Sequence, residues 1–351
     1  MAKDAIPASI AVDAMGGDKG PSEIIAGVSL ALKELSRTDK VLLIGDTTLL
    51  EPLIEEEGLA RDNRVSLLHA SQTISMDEKP IQSIRRKKDS SMVRAIESVR
   101  EGRAKALLSC GNTGSLMAGS TLKLRPLEGL ERPALATVIP TAKRYFILID
   151  AGANTGPSPS HFVHNAILGA HYAKTILKLS QPRVGLLSIG TEEGKGTDLI
   201  HHAHQSLKKV DGLINYTGLI EGFHVFSDQV DVILCDGFVG NIVLKVCESL
   251  VVNIIEYLKD ELSKSPLRKA GALLTRGAFK TIRSRLNPER YGGAPLLGLS
   301  ATVFKAHGSS NRYAIRSAVQ MGLEAARCYR SEDIITVIKE ANRLIKDHTV
   351  P

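Results

Sequence analysis

The chain has 351 residues, 43% of them apolar, and a formal net charge of +7. This length and composition predict a globular enzyme with a full core. No run approaches the roughly 20 apolar residues of a membrane span, and no secretory signal stands at the N-terminus. Aromatic residues make up 4% of the chain and tryptophan is absent, which argues against a nucleic-acid stacking platform. We therefore expect a cytoplasmic protein without a nucleic-acid partner.

Apolar strands repeatedly run into short, glycine-rich polar turns. The strands are SIAVD (9–13), ALLS (106–109), FILID (146–150), VGLLS (184–188), VILCD (232–236) and VFKA (303–306). Segments with helical spacing alternate with them, which predicts an α/β fold with helices on both faces of a mainly parallel sheet. We expect residues 1–351 to form a single catalytic domain, with residues 252–290 as a helical excursion.

The turns should lie together, because the carboxyl ends of parallel strands meet at one edge of a sheet, where such folds bind ligands. Glycine-rich backbone before a helix start forms a phosphate or oxyanion cradle. Two turns fit this description, and their candidate binding residues are Gly111, Asn112, Thr113, Gly114, Asp236, Gly237 and Asn241. A single glycine can equally serve a tight turn for steric reasons alone.

A run of cations, Arg85 to Lys88, stands just before a predicted helix start at Asp89 or Ser90. Positive charge there opposes the helix dipole by about 0.3–1 kcal/mol per residue. We therefore expect Arg86, Lys87 and Lys88 to bind an anion; a solvated charge run is the alternative.

Lys195 and His307 are further candidates for the chemistry. The segment GTEEGKGTD differs from a P-loop in its spacing and lacks the Ser or Thr after the lysine, so we do not expect nucleoside triphosphate binding. Lys195 between two glycines predicts a mobile cation, against the alternative of a surface lysine. His307 in AHGSSN could bind an oxyanion or move a proton, or could be structural.

We expect no metal and no cofactor. The pairs His161 with His164 and His201 with His204 lack a matched third ligand. The strand-end aspartates Asp13, Asp18, Asp150 and Asp236 more often bind the NH groups of the following turn. Cys110 and Cys235 lie beside the turns but have no local base, so we expect small core residues rather than nucleophiles.

Positive charge concentrates in residues 263–288, which contain seven cations and no acid. Leu267, Leu274, Ala278, Ile282 and Leu286 recur at spacings that predict an apolar stripe on a helix. Such a helix suits an anionic membrane surface or an acidic partner. A basic helix packed on its own subunit is the alternative.

Ordered motifs along the whole chain resemble the bacterial phosphate acyltransferase family. They are DAMGGD followed by GP (13–21), RRKKDSSM (85–92), GNTGSLMAG (111–119), IDAGAN (149–154), VGLLSIGTEEGKG (184–196), CDGFVGNIVLK (235–245), YGGAPLLGL (291–299) and AHGSSN (306–311). The chain departs from the family in residues 218–224, where GLIEGFH replaces a sequence close to GNVEGRD.

The resemblance implies transfer of a fatty acyl group from acyl-acyl carrier protein to inorganic phosphate, at the start of phospholipid synthesis. It also implies a three-layer fold like the isocitrate and isopropylmalate dehydrogenases, a homodimer, and peripheral membrane association feeding a membrane glycerol-phosphate acyltransferase. Lys195, Asn241 and His307 would then be catalytic, by orienting phosphate and stabilising the oxyanion.

Other functions remain open at this point. A dehydrogenase should carry a dinucleotide-binding signature, and no GxGxxG is present. A short-chain phosphate acetyltransferase is a further enzyme candidate. A noncatalytic adaptor for membrane or carrier protein would explain the basic segment but not the polar turns.

Overall fold

The computed structural model describes residues 8–192, 195–286 and 293–346. The strands in this part of the chain are β1 Ser9–Asp13, β2 Lys40–Gly45, β3 Val65–His69, β4 Ala106–Ser109, β5 Ala134–Pro140, β6 Tyr145–Ile149, β7 Arg183–Ser188, β8 Asn215–Glu221, β9 Val232–Leu234, β10 Ala294–Leu297 and β11 Thr302–Lys305. The six strands expected from the sequence correspond to β1, β4, β6, β7, β9 and β11.

The helices alternate with these strands. They are α1 Pro21–Leu32, α2 Thr47–Glu56, α3 Pro80–Arg86, α4 Ser91–Arg100, α5 Thr113–Leu124, α6 Pro159–Ile176, α7 Asp198–Lys209, α8 Gly237–Ser263, α9 Pro266–Leu274, α10 Arg276–Leu286, α11 Arg312–Cys328 and α12 Ser331–Lys346. A 3₁₀ turn, Gly222–His224, follows β8. Side-chain caps start several helices, among them Ser90 for α4 and Asn112 for α5.

The strands form one sheet in the order β3-β2-β1-β4-β11-β10-β5-β6-β9-β7-β8. The first five are parallel to one another, and so are the last four. Between them, β10 and β5 pair antiparallel with each of their neighbours. The expected mainly parallel sheet is confirmed, but its two parallel groups run in opposite directions, which the sequence did not reveal.

The pairing register brings the carboxyl ends of the two groups to one level. Leu135 of β5 pairs with Leu296 of β10, which pairs with Val303 of β11. The next residue of β5, Ala136, pairs with Ile149, the last residue of β6. Strand β6 therefore ends near the level of Phe304, one residue before β11 ends. The turns after β11 and β6 therefore lie at one level of the sheet, with β10 and β5 between them.

Helices cover both faces of the first group, as expected. Residues of α1, α2 and α11 pack on one face around Val12 and Phe304, and residues of α4 and α5 pack on the other around Leu107. In the second group, α6, α7 and α12 cover one face. Residues after β8 and the first part of α8 pack against the opposite face, where Phe146 is buried.

Helices α8 to α10 extend away from this core. Only Gly237 and Gly240 are buried in α8, and no residue of α9 is buried. The single basic helix expected in residues 263–288 is two helices, since α9 ends at Leu274 and α10 begins at Arg276. Residues 287 and 288, and the side chains of Arg283, Arg285 and Leu286, lie outside the described residues.

The expectation that no segment is long and apolar enough for a membrane span is wrong for α8. Its mean hydropathy reaches 1.8 over an 18-residue window, of which 6% is buried. One such helix is weak evidence for a span, and α8 starts inside the fold, where Gly240 contacts the Asp150 turn. The predicted excursion 252–290 begins within α8 and stays a prediction.

Candidate active site

Three turns of the first strand group converge at the carboxyl ends of β1, β4 and β11. The Asp18 backbone N–H donates to the Gly308 carbonyl at 2.8 Å. A Cβ atom added at Gly16 would lie 2.7 Å from the Gly111 nitrogen, and one added at Gly17 would lie 3.1 Å from the Cys110 Cβ. These contacts leave no room for side chains at the two glycines.

A second set of turns converges at the carboxyl ends of β6 and β9. The Gly237 N–H donates to the Asn154 carbonyl at 2.8 Å. A Cβ added at Gly240 would lie 1.9 Å from the Asp150 carbonyl oxygen, so backbone meets backbone here. Asn241 lies against Gly152: a Cβ added at Gly152 would lie 3.5 Å from the Asn241 Cβ.

Helix α8 connects the two sets of turns. Asn241 in its first turn belongs to the second set, and Lys245, one turn later, reaches the first. The Lys245 ammonium donates to His307 Nε2 at 3.3 Å and to Glu248 at 2.8 Å. His307 Nδ1 lies 2.8 Å from the Ser309 hydroxyl. Helix α8 therefore links the turn that holds Asn241 to His307 through Lys245, a lysine that the sequence analysis did not predict.

Lys305 is a second missed residue. It ends β11 and is 8% exposed, and its ammonium donates to the carbonyls of Cys110 and Ala306. Burial lowers the pKa of Lys305, while the acids Asp13 and Asp18 act in the opposite direction. Buried lysines are rare, so this cation beneath the converging turns marks the site.

Several predicted residues hold the turns themselves. Asn112 caps α5 by accepting from the Ser115 N–H at 2.9 Å, and its amide donates to the Met76 and Glu78 carbonyls. Asp236 caps α8 by accepting from the N–H groups of Phe238 and Val239. Both side chains therefore already have backbone partners, and their turns present backbone N–H groups at helix starts.

Asp150 and Asp13, two further strand-end aspartates, act as expected. The Asp150 carboxylate accepts from the N–H groups of Gly152, Ala153 and Asn154. Asp13 accepts from the Met15 N–H and from the Ser109 hydroxyl at 2.6 Å. Among the described residues, no group of three or more His, Cys, Asp or Glu could hold a metal ion.

The two cysteines near the turns are buried. Burial raises the pKa of the Cys110 thiol to about 12 and that of Cys235 well above its ordinary value. A nucleophilic cysteine needs the opposite shift. Their interpretation as small core residues is confirmed by this burial.

The cations of residues 85–88 are placed differently from the sequence interpretation. Arg85 and Arg86 lie in the last turn of α3, where positive charge suits the helix dipole, and α4 is capped by Ser90. Lys87 pairs with Glu78 at 2.6 Å. The helix start predicted at Asp89 or Ser90 is confirmed, but the postulated conflict is wrong for Arg85 and Arg86, which end another helix. Arg86, the last residue of α3, and Lys88, in the connection to α4, are both exposed.

The remaining predicted residues lie in the segments that follow β4 and β7. Thr113 and Gly114 form the first turn of α5, with Gly114 against Pro80 of α3. Lys195 is exposed on the loop between β7 and α7 and lies beside Gly190. Strand β7 is the neighbour of β9, so this loop adjoins the start of α8.

Comparisons with known proteins decide the family. A sequence profile for the family described as "Fatty acid synthesis protein" matches residues 8–330. The protein named "Phosphate acyltransferase" from Heliobacterium modesticaldum is 40% identical over 94% of this chain and 96% of its own length. The one from Alkaliphilus oremlandii is 42% identical over 90% of this chain and 92% of its own.

The chain belongs to the phosphate acyltransferase family. It is accordingly a transferase enzyme, and the resemblance seen in the sequence motifs is confirmed.

Solved structures agree on the fold. A phosphotransacetylase from Streptococcus pyogenes superposes with a TM-score of 0.59 at 15% identity, over 91% of this chain and 94% of that one. A branched-chain phosphotransacylase from Enterococcus faecalis gives 0.56 at 14% identity, over 92% and 100%. At this identity the likeness concerns the α/β architecture alone.

Proposed function

We propose that this enzyme transfers a fatty acyl group from acyl-acyl carrier protein to inorganic phosphate, giving acyl phosphate for phospholipid synthesis. The observation that carries the proposal is the contact between Lys245 and His307, which joins the two sets of turns one helical turn after Asn241. Donors and cations meet there, beside helix starts that favour anions.

The reaction we propose is direct. A phosphate oxygen attacks the thioester carbonyl, the electron pair of the carbonyl moves to oxygen, and collapse of the tetrahedral intermediate breaks the C–S bond. The pantetheine thiolate leaves and takes up the proton that hydrogen phosphate loses as it becomes acyl phosphate. Phosphate is a sufficient nucleophile and a thiolate a good leaving group, so positioning and charge stabilisation carry the catalysis. The raised thiol pKa values of Cys110 and Cys235 agree with a route without an acyl-cysteine.

In this proposal, Lys195, Asn241 and His307 orient phosphate and stabilise the oxyanion, and the turns at Gly111–Gly114 and Asp236–Gly237 supply backbone N–H groups. Arg86, Lys87 and Lys88 contribute positive charge beside the Asn112 turn, because the loop that Lys87 pairs with is also held by Asn112. Lys245 and Lys305 contribute further positive charge to the proposed phosphate site.

The remaining parts of the proposal rest on the family. They are a homodimer, a cytoplasmic location with peripheral association to an anionic membrane through residues 263–288, delivery to a membrane glycerol-phosphate acyltransferase, and an isocitrate/isopropylmalate dehydrogenase-like fold. The exposed side chains of Leu267 and Leu274, 84% and 87% accessible, support an interfacial role for α9.

The test is release of free carrier-protein thiol from the purified enzyme and a long-chain acyl donor, with and without phosphate. We expect phosphate-dependent release and a hydroxylamine-reactive product. We also expect Lys195→Ala to lower kcat/KM for phosphate by about 10-fold or more, as for loss of a charged hydrogen bond. Thiol release at the same rate with and without phosphate would contradict the proposed function. A wild-type kcat/KM for phosphate in Lys195→Ala would contradict only the role proposed for Lys195.

A further inference from the structure

A small cavity lies on one face of the sheet, where the helices of the two strand groups meet. It has a volume of about 50 Å³ and is lined by residues of α6, of the hairpin of β10 and β11, of the end of α11 and of the start of α12. Helix α6 packs on the second strand group, whereas β11 belongs to the first. The cavity therefore lies at the join between the two halves of the fold.

Two buried hydroxyl groups belong to residues that line this cavity. Most of its walls are apolar, among them Leu168, Leu297 and Ile334. Tyr172 of α6 and Thr302 of β11 are only 6% and 8% exposed. Within the described part of the chain, neither hydroxyl has a hydrogen-bond partner. Native proteins rarely leave buried polar groups unpaired, so two around one cavity indicate a ligand that pairs with both.

The hydrogen-bonding capacity of the lining defines the ligand. Burial raises the pKa of Tyr172, so its hydroxyl keeps its proton and needs an acceptor. The Thr302 hydroxyl can donate or accept. His171 also lines the cavity, and burial lowers its pKa, so its neutral ring offers one donor and one acceptor at neutral pH. A ligand for these groups must both donate and accept hydrogen bonds.

The size of the cavity excludes larger molecules. One water occupies about 30 Å³ in the liquid, so about 50 Å³ holds one or two waters. A cavity that binds benzene is far larger, about 150 Å³. An ordered internal water needs about two to four polar partners. Tyr172, Thr302 and His171 provide that number.

We propose that one or two ordered waters occupy this cavity and bridge the hydroxyls of Tyr172 and Thr302, with His171 as a further partner. The bridge joins α6, on the second strand group, to β11, the strand that ends at Lys305. It makes internal water part of the join between the two groups. This inference does not depend on the proposed function.

The test is a double-mutant cycle with Tyr172→Phe and Thr302→Val, which remove the hydroxyls and nearly keep the side-chain shapes. A bridging water makes each hydroxyl a bonded group. Each single variant should therefore lower the folded-to-unfolded ratio, measured by urea denaturation, by about 3-fold or more. The double variant should lose at least about 3-fold less than the product of the two single losses, because both ends of one bridge are then gone.

Hydroxyls without a water partner would give the opposite sign. Each substitution would then remove an unsatisfied buried group and raise the folded-to-unfolded ratio. A rise in both single variants, with an additive double variant, would overturn the inference.

Thr217 provides a matched control for the coupling. Its hydroxyl donates directly to the Val184 carbonyl at 3.0 Å, and Thr217 is not among the residues that line the cavity. Thr217→Val combined with Tyr172→Phe should be additive within about 2-fold. Coupling as strong as that between Tyr172 and Thr302 would mean that the cycle does not report on the cavity, and the inference would lose its support.

A crystal structure of the full chain, at a resolution that shows ordered water, locates the bridge directly. We expect water oxygens at about 2.7–3.0 Å from the hydroxyl oxygens of Tyr172 and Thr302 in the wild type. They should be lost in the double variant. A cavity without water density, or a direct hydrogen bond between the two hydroxyls, would contradict the proposal even if the two residues are coupled in stability.

Discussion

Lys305 is a cation enclosed at the end of a central strand, between the carbonyls of Cys110 and Ala306. We expect Lys305→Met to raise the phosphate KM about 10-fold, because a charge-assisted contact to an anion contributes about 1.5–3 kcal/mol. The free energy of unfolding should fall by less than about 1 kcal/mol or rise, since methionine fills similar space without the desolvation of an ammonium.

The two quantities can be measured separately by steady-state kinetics and urea denaturation. Lys339→Met is the control, because the exposed side chain of Lys339 pairs with Glu128 at the protein surface. It should change neither quantity. An unchanged phosphate KM together with a large loss of stability in Lys305→Met would make Lys305 a purely structural residue.

His307 should titrate at a lower pH than an ordinary histidine. Burial and the neighbouring Lys245 lower the pKa of His307 from 6.5. Because the folded pKa lies below the unfolded one, the neutral ring's contribution to stability is full above pH 6.5 and is lost as the pH falls through the folded value.

An NMR titration of the His307 ring protons measures this shift. We expect a midpoint below 6.5 in the wild type and a higher midpoint in Lys245→Met, which removes one cause of the shift but leaves burial. Lys264→Met is the control, because Lys264 lies at the other end of α8 and pairs with Glu261. It should leave the His307 midpoint unchanged. A wild-type midpoint at or above 6.5 contradicts the Lys245–His307 contact.

The two missed lysines left weak signals in the sequence. Lys305 interrupts an apolar strand directly before AHGSSN, and Lys245 follows the predicted Asn241 by four residues, which places both on one helix face. Neither pattern reveals burial or the contact with His307. Those depend on pairing between strands and helices far apart in the chain.

At the scale of elements, Gly240 fixes the start of α8. A Cβ there would lie 1.9 Å from the Asp150 carbonyl oxygen and 2.8 Å from the Cys235 sulfur. We expect Gly240→Ala to lower the free energy of unfolding by about 1–3 kcal/mol or more, as for overpacking in a core, and to reduce activity by displacing Asn241.

Gly271 provides the matched control. It lies in α9, and an added Cβ would meet no atom within 4 Å. Gly271→Ala should be neutral or stabilise α9 by up to about 1 kcal/mol through helix propensity. The stabilities of the two variants are compared by the urea concentration at half-unfolding, provided that the dependence of the unfolding free energy on urea is the same. Equal stability of Gly240→Ala and the wild type would show that α8 can shift away from β6.

The α3–α4 connection shows how one short helix missing from the prediction changes an electrostatic argument. The cations at 85–88 were assigned to a helix start, where they would be unfavourable, but two of them end α3, where they are favourable. Helix α3 has seven residues and begins at Pro80. Such a short element has too little periodicity to be found from the sequence.

For the whole molecule, the basic helices beyond the sheet should govern membrane association. Within the described residues, Arg276 and Lys280 lie on α10. Two charge reversals there should weaken flotation with phosphatidylserine vesicles by at least about 30-fold, because each basic residue near an anionic surface contributes about 1 kcal/mol.

Reversal of Arg37 and Lys143, exposed on the main body, changes the net charge equally and is the control. It should leave flotation almost unchanged. If both double variants lose binding to the same degree, the association follows net charge rather than α9 and α10. Weakened affinity for acyl carrier protein with unchanged flotation would assign the basic helices to that partner instead.

Much of the architecture was predictable, because apolar runs indicate buried strands and a regular helical spacing of apolar residues indicates helices. The six glycine turns, the major helices and the family motifs are of this kind. The reversal of strand direction was not predictable, since β5 and β10 are ordinary short apolar segments whose antiparallel pairing depends on distant partners. The candidate turns could be predicted one by one, but the contact of Lys245 with His307 could not, because it depends on segments 62 positions apart in the chain.

The sheet order also bears on biosynthesis. Strand β11 lies beside β4, and Lys305 reaches Cys110 across 195 positions of sequence. On the ribosome, β4 therefore emerges long before the neighbour that will cover its edge. The unpaired edge of β4 can form hydrogen bonds with the wrong strand of this chain or with another chain. The nascent chain should consequently depend on chaperones until β11 is translated, and slow, long-range closure of this pair should limit the refolding rate.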